Sequence, residues 1–467
     1  MIRTGAMLGA IVFVAVNAMW PAPAFAIEPP VVPPGGPPVG GPGPPDTTEL
    51  KATCGVPGVF PGTDFSLQPS AEAMLDFTSA WRFSRGAGQK VAVIDTGVSP
   101  NPRLPLLEGG GDYVSSSDGL EDCDAHGTLV AGLIAGAPSP GDAFSGVAPE
   151  AVILSIRQNS QVYSTRGSGS AQNDPNAVSV GYGSTQTLAL AIVRAVDMGA
   201  TVINLSEVAC APVGAGMDDA ALGQAVRYAF ERNVVVVAAA GNFSTQGLCN
   251  RQNEVVDPNL PLSDAWASVR TIASPAWFQD YVLSVGALTP SGEPADFSLH
   301  GPWVDVAAPG EQMTSLSPQG GLMNAWMDPQ RGLVPVNGTS FAAPLVSGVV
   351  ALVRSKFPWM SAGEVMDRVK RTAHNPEYGP NAATGYGVVD PVAALTYELP
   401  PAAAMPDPDV GTVIAGPPVE SPEDRRARNI VLGVLGVCIA GAAVAIAMLR
   451  KRADQTGDPA GGSRSGR

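Results

Sequence analysis

Four residues at the ends of apparent secondary-structure elements could together carry acyl transfer. Ser340 stands in Gly338-Thr339-Ser340-Phe341-Ala342-Ala343-Pro344, ahead of the run Leu345-Val346-Ser347-Gly348-Val349-Val350-Ala351-Leu352. The run reads as a buried helix with the serine at its mouth. First-turn N–H groups lack intrahelical partners, and with the positive end of the helix dipole they suit a site where negative charge develops. Pro344 is expected to be harmless there, its missing donor counted among those unpaired groups. Val91-Ala92-Val93-Ile94-Asp95-Thr96-Gly97-Val98 places a carboxylate where a strand ends, and Asp124-Ala125-His126-Gly127-Thr128 places an imidazole where a small-residue helix begins. Ala238-Ala239-Ala240-Gly241-Asn242 puts an amide just past another apolar strand.

Singly, each has an ordinary structural explanation: a serine N-cap, a helix-start histidine, an asparagine in a turn. Together they answer a narrow demand. A serine hydroxyl is a weak nucleophile until an imidazole within hydrogen-bond reach accepts its proton. That imidazole needs its other nitrogen held by a carboxylate, which selects the tautomer and stabilises the cation formed. Asn242 could then aim its amide at the substrate oxyanion, with the Ser340 N–H as second donor. The other two histidines, His300 in a turn and His374 after a basic helix, read as surface residues.

The elements that must position these groups alternate. Val91–Ile94, Val152–Ile156, Thr201–Leu205, Val234–Val237 and Val282–Val285 are short apolar runs suited to strands buried on both faces. Helical patterns lie between them at Gly127–Ala137, Thr187–Met198 and Asp218–Arg232, and another covers Ser70–Trp81. Later, Ser361-Ala362-Gly363-Glu364 is a capping box and Asp390-Pro391 opens a last helix. This α/β order implies a mostly parallel sheet with helices on both sides, whose sites lie beyond the carboxyl ends of the strands. Two polar insertions interrupt it, Gln158–Gly183, expected to be a mobile surface loop, and Gly247–Ala276.

The chain has 467 residues, a hydrophobic content of 45% and a formal charge of −15, ample for a core and unsuited to nucleic-acid binding. Residues 1–26 carry Arg3, an apolar stretch and Ala24-Phe25-Ala26, the pattern of a secretory signal peptide cleaved after Ala26. The Pro/Gly-rich extension 27–63 is too poor in packing side chains to build a domain of its own. After the catalytic region 64–398, residues 399–429 form a Pro- and Asp-rich linker. Ile430–Leu449 is then uncharged over a bilayer's length and reads as a transmembrane helix, followed by a cytoplasmic tail, 450–467. Basic residues flank both ends, so the signal peptide sets the orientation, with the catalytic region on the extracytoplasmic side of the cell membrane.

The segments around Asp95, His126, Asn242 and Ser340, in that order, resemble the subtilisin-like serine proteases. Gly146-Val147-Ala148-Pro149, Val304-Asp305-Val306-Ala307-Ala308-Pro309-Gly310 and Gly385-Tyr386-Gly387-Val388-Val389-Asp390 add to the resemblance. It implies a subtilisin-like three-layer fold, no cofactor or metal in catalysis, and protein substrates bound along Ser206, Glu207, Val208 and Gly241. Where subtilisins often carry Ser-Leu-Gly this chain has Ser206-Glu207-Val208, which changes the pocket wall. The whole layout resembles the mycosins, membrane-anchored proteases of type VII secretion systems. That implies limited proteolysis of secreted proteins and association with the secretion membrane complex; a mainly structural role in that complex is the alternative. Keeping all three triad positions and Asn242 favours an active enzyme.

Five cysteines stand at 54, 123, 210, 249 and 438. Export permits disulfides. Cys438 lies in the apolar span and is expected to be a free thiol. Cys210 and Cys249 follow strands leaving the same edge of the sheet, so Cys210–Cys249 and Cys54–Cys123 are expected among the three possible pairings of the other four.

Overall fold

The computed structural model describes residues 27–167, 174–245, 247–254, 261–400 and 425–455. The expected signal peptide, most of the linker and the end of the tail lie outside them. The chain falls into two compact units, divided between Asp409 and Val410.

The first unit is built on a sheet of seven parallel strands in the order β12-β11-β9-β7-β3-β5-β4. In the chain, β1 (Thr48–Leu50) and β2 (Pro57–Gly58) come first, then β3 (Lys90–Asp95), β4 (Leu107–Asp112), β5 (Val152–Arg157) and β6 (Tyr163–Thr165). Next are β7 (Val202–Leu205), β8 (Ala209–Pro212), β9 (Val235–Ala239), β10 (Thr271–Ser274), β11 (Val282–Leu288) and β12 (Val304–Pro309). Side chains alternate along each strand, and both faces are dry. Val91 and Val93 of β3 enter one core, Ala92 and Ile94 the other.

Helices supply both covers. α1 (Ser70–Leu75), α2 (Phe77–Ala80) and α3 (His126–Ala135) precede α4 (Thr185–Asp197) and α5 (Ala220–Glu231). α6 (Thr339–Lys356), α7 (Ala362–Arg371) and α8 (Pro391–Thr396) complete the unit. α3 and α6 pack in the first core, with every residue from Thr339 to Arg354 buried, while α4 and α5 cover the opposite face. The caps form as the sequence indicates. Ser361 accepts from the Glu364 N–H in a capping box, and Asp390 accepts from the Ala393 N–H ahead of Pro391. The expected single helix over Ser70–Trp81 is instead two short ones, broken where Asp76 adopts φ 44°, a conformation Asp tolerates. The break turns Ala71, Leu75, Phe77 and Ala80 inward and leaves Ala73 exposed.

The described parts of the insertion after β5, residues 158–167 and 174–183, are anchored where a mobile loop was expected, and 168–173 lie outside the described residues. Gln158, Asn159 and Ser160 are fully buried, and Ser160 exchanges backbone hydrogen bonds with Tyr182. The N-terminal extension is equally fixed. Val32 is buried, Arg227 Nη2 donates to Gly35 O at 2.7 Å, and β1 pairs antiparallel with β6. β2 adds to the hairpin of Ala325–Asp328 and Gly332–Pro335. The expected disulfides are both present, Cys54–Cys123 and Cys210–Cys249.

The second unit's described part is a helix, α9 (Arg425–Gln455). Its stretch Gly433–Lys451 has a mean hydropathy of 2.0 and is long and apolar enough to cross a membrane. Cys438 within it is a free, exposed thiol.

Because Cys54–Cys123 closes a separation of 69 residues, its loss frees the extension in the unfolded chain and in the native one. The double variant Cys54→Ser/Cys123→Ser should lose about 2–5 kcal/mol, nearer 2 in a body this large, and remain folded. Thermal and denaturant unfolding measure this; an unchanged midpoint would mean the bridge contributes nothing to stability.

Candidate active site

Three segments converge at the carboxyl end of β3, where the strand order turns: β4 and β5 lie to one side, β7 and β9 to the other. Asp95 is the last residue of β3 and fully buried. Its Oδ1 accepts from His126 Nδ1 at 2.7 Å and from the Thr96 N–H at 2.7 Å. Close approach of the two segments depends on glycine. A Cβ on Gly127 would overlap Gly97 O, and Gly97 itself adopts φ 100° against the backbone of Glu121. Asp122 fastens the same corner: it accepts from Thr96 Oγ1 at 2.8 Å, the Thr128 N–H at 2.8 Å and Thr128 Oγ1 at 2.6 Å.

Ser340 lies in the first turn of α6, and the Phe341 ring sits 5.1 Å from the His126 ring. No hydrogen bond joins Ser340 Oγ to His126 among the described residues; such bonds often tighten only when substrate is bound. Pro344 matters more than the sequence suggests. Since α6 begins at Thr339, Pro344 is its sixth residue, beyond the unpaired first turn, and its missing N–H leaves Ser340 O without a helical donor. Ser206 Oγ fills the gap at 2.8 Å. Asn204 Nδ2 donates to Ser206 Oγ at 2.9 Å, and Ser347 Oγ donates to Asn204 Oδ1 at 2.8 Å. This buried chain ties α6 to β7. It also gives the Ser206 side chain a task besides the substrate contact expected of it, one that the sequence did not reveal.

Asn242 follows Gly241 past the end of β9 and is exposed. Its Oδ1 accepts from the Thr339 N–H at 2.9 Å and Thr339 Oγ1 at 3.0 Å, which fixes the amide and leaves Nδ2 to donate. A Cβ on Gly338 would lie 3.2 Å from Ser340 Oγ and 3.5 Å from Asn242 Nδ2. Glycine there keeps open the space that both groups face.

A cleft leads away from this point, lined by Ser206, Glu207, Val208, Gly241, Asn242 and Thr339. Its opposite wall was not foreseen: Gln161 and Val178–Val180 come from the polar insertion, Leu248 and Cys249 from the second one. The Cys210–Cys249 disulfide packs beside Gly241. His300, expected on the surface, is half-buried, and burial lowers its pKa. His374 is exposed and pairs with Asp390 at 3.0 Å. Neither reaches the cleft lining.

The charge around His126 is negative. Burial disfavours its cation, but Asp95, with Glu207 and Asp122 nearby, outweighs burial and raises the pKa to about 10. Glu207 Oε1 lies 3.9 Å from His126 Nε2, the ring nitrogen not bonded to Asp95. Burial raises the Glu207 carboxyl to about 7, with His126 pulling it down and Asp95 and Asp124 pushing it up. The described residues offer no cluster able to hold a metal ion. A serine, an imidazole held by a buried carboxylate, and an oriented amide donor make an arrangement for acyl transfer.

The Subtilase family model matches residues 86–387, which include all four segments. Mycosin-3 of Mycobacterium tuberculosis (strain H37Rv) is 45% identical over 458 residues, covering 95% of this chain and 97% of its own length. Among solved structures, the MycP3 protease from the type VII (ESX-3) secretion system aligns with a TM-score of 0.74 at 48% identity, covering 80% of this chain and 100% of that one. A chain in an intact ESX-5 inner membrane complex aligns at 0.73 with 43% identity, covering 90% of this chain and 100% of that one. With this sheet, these segments and these matches, the chain belongs to the subtilase family of serine peptidases and, within it, to the mycosins.

Proposed function

We propose that this peptidase cleaves peptide bonds through Ser340, with His126 as general base, Asp95 as its orienting carboxylate and Asn242 as oxyanion donor. The observation that carries this reading is the 2.7 Å bond between buried Asp95 and His126 Nδ1, near the end of a cleft lined by Asn242 and by Thr339, the neighbour of Ser340. His126 takes the proton from Ser340 Oγ as the oxygen attacks the substrate carbonyl, then delivers it to the leaving amine. Asn242 Nδ2 and the Ser340 N–H hold the negative oxygen. Water then releases the acyl group by the same proton route. Ser206–Val208 runs beside the cleft, and its backbone supports strand-like pairing with an extended substrate.

The same reading extends to the setting. The solved relatives come from type VII secretion systems, one within an inner membrane complex, and this chain's substrates are then proteins handled by such a system. The apolar stretch of α9 anchors the chain in the cell membrane, with the catalytic unit on the extracytoplasmic side. The N-terminal extension is a structural strap and not an inhibitor, since none of residues 27–63 lines the cleft.

Ser340→Ala should leave the fold unchanged and abolish hydrolysis of any cleavable peptide; wild-type turnover by the purified variant would overturn the assignment. Asn242→Ala should lose about 10²–10³ in kcat, the loss known for the corresponding donor in subtilisin, with a smaller change in KM. His126 must be neutral to accept a proton. With its pKa raised to about 10, kcat/KM should climb with pH through the neutral range and well into the alkaline one. A profile flat above neutral pH would contradict that charge balance. In cells with a permeabilised outer barrier, added protease should reach the catalytic unit and spare a tag placed after Gln455. The reverse pattern would invert the topology.

A further inference from the structure

Glu207 has no role in the mechanism above, yet it stands at its centre. It follows Ser206 at the end of β7, lines the cleft, and keeps 20% of its side chain exposed. Its carboxylate accepts no hydrogen bond among the described residues, and no Lys or Arg lines the described cleft. A largely buried carboxylate without donors is costly unless a cation answers it. Among the described residues the one cation within 4 Å in the free protein is His126, at 3.9 Å from Nε2.

An extended substrate lying along Ser206–Val208 presents successive side chains to opposite sides. When the residue giving up its carbonyl fills the pocket beside Gly241 and Cys249, the residue before it turns its side chain toward His126 and Glu207. Resting on the serine mechanism already set out, we propose that Glu207 selects substrates with Lys or Arg at the position immediately preceding the residue whose carbonyl Ser340 attacks. The substrate cation also frees His126 from Glu207. In the free protein, carboxylates face both imidazole nitrogens, and both favour the charged form, which cannot accept a proton. A substrate ammonium or guanidinium answers the Glu207 charge, so His126 gives up its proton at lower pH while keeping its Asp95 partner on Nδ1. The other charges facing this corner remain: Asp122 and Asp124 from the loop before α3, and Arg157 at the end of β5, which acts on Asp124. Asp124 is held by Ser160 Oγ at 2.6 Å and the Gln161 N–H at 2.8 Å, so it is not available to replace Glu207.

The test uses two fluorogenic peptides identical except for Lys or norleucine at the preceding position. Each is assayed with wild type, Glu207→Gln and Glu207→Leu across a pH series, alongside labelling of Ser340 by a fluorophosphonate. Wild type should favour the Lys peptide by about 10-fold or more in kcat/KM. Both variants should lose that preference while still cleaving the norleucine peptide. The acid limb of their pH profile should also move to lower pH, which a merely structural role would not produce. Equal wild-type kcat/KM for the two peptides, or a Lys preference that survives both variants, overturns the proposal while leaving the serine mechanism intact. A wild-type protein that neither labels nor cleaves either peptide overturns the serine mechanism, and this proposal with it.

Discussion

The site depends on one carbonyl. Pro344 removes the helical donor that would satisfy Ser340 O, and Ser206 Oγ supplies it instead. An unmet buried carbonyl would cost more than the bond itself returns, so the serine turn is secured only when β7 is in place beside it. Asn204 and Ser347 complete the chain, joining residues 143 positions apart within a fully buried layer. Gly348 lets α6 lie directly against Val147, so the helix carrying Ser340 is part of the core and not an attachment to it. The serine's rigidity therefore comes from packing and from one deliberate gap in a helix ladder.

The charge at the other end of the site is set by crowding. Asp95, Asp122 and Asp124 each lie near His126, and each is buried with its own set of donors. Burial raises the pKa of Asp122 to about 7 despite bonds from Thr128 and Thr96. Such groups are tolerable because local donors answer their oxygens, Asp95 Oδ2 excepted. Glu207 is different in having none, which is why its counter-charge must come from the imidazole or from outside.

The N-terminal extension shows how a segment unable to fold alone becomes structural. Its backbone groups pair with β6 and with the Ala325–Pro335 hairpin, and Cys54 anchors it three residues before His126. The polar insertion after β5 gains order in the same way, from β1 on one side and Asp124 on the other. Neither has enough apolar surface to collapse by itself; each borrows the body's. Two features that read as loose in composition thus frame the corner around His126.

The sequence by itself determined the α/β order, because apolar runs buried on both faces, capping boxes and Pro-opened helices are local signals. Asp95, His126, Asn242 and Ser340 were legible as well, since each sits at a strand end or a helix start that the same signals mark. The apolar span at Gly433–Lys451 was legible from length alone. Only the tertiary structure decided what crosses between elements. It broke the helix at Asp76, placed Pro344 one turn too deep to be harmless, and set Gln161 and Val178–Val180 of the insertion as a cleft wall. It also brought Glu207 within 3.9 Å of His126. Periodicity and capping act over a few residues, whereas a hydroxyl donating across 134 positions or a carboxylate facing an imidazole exists only once the sheet has set the strands side by side.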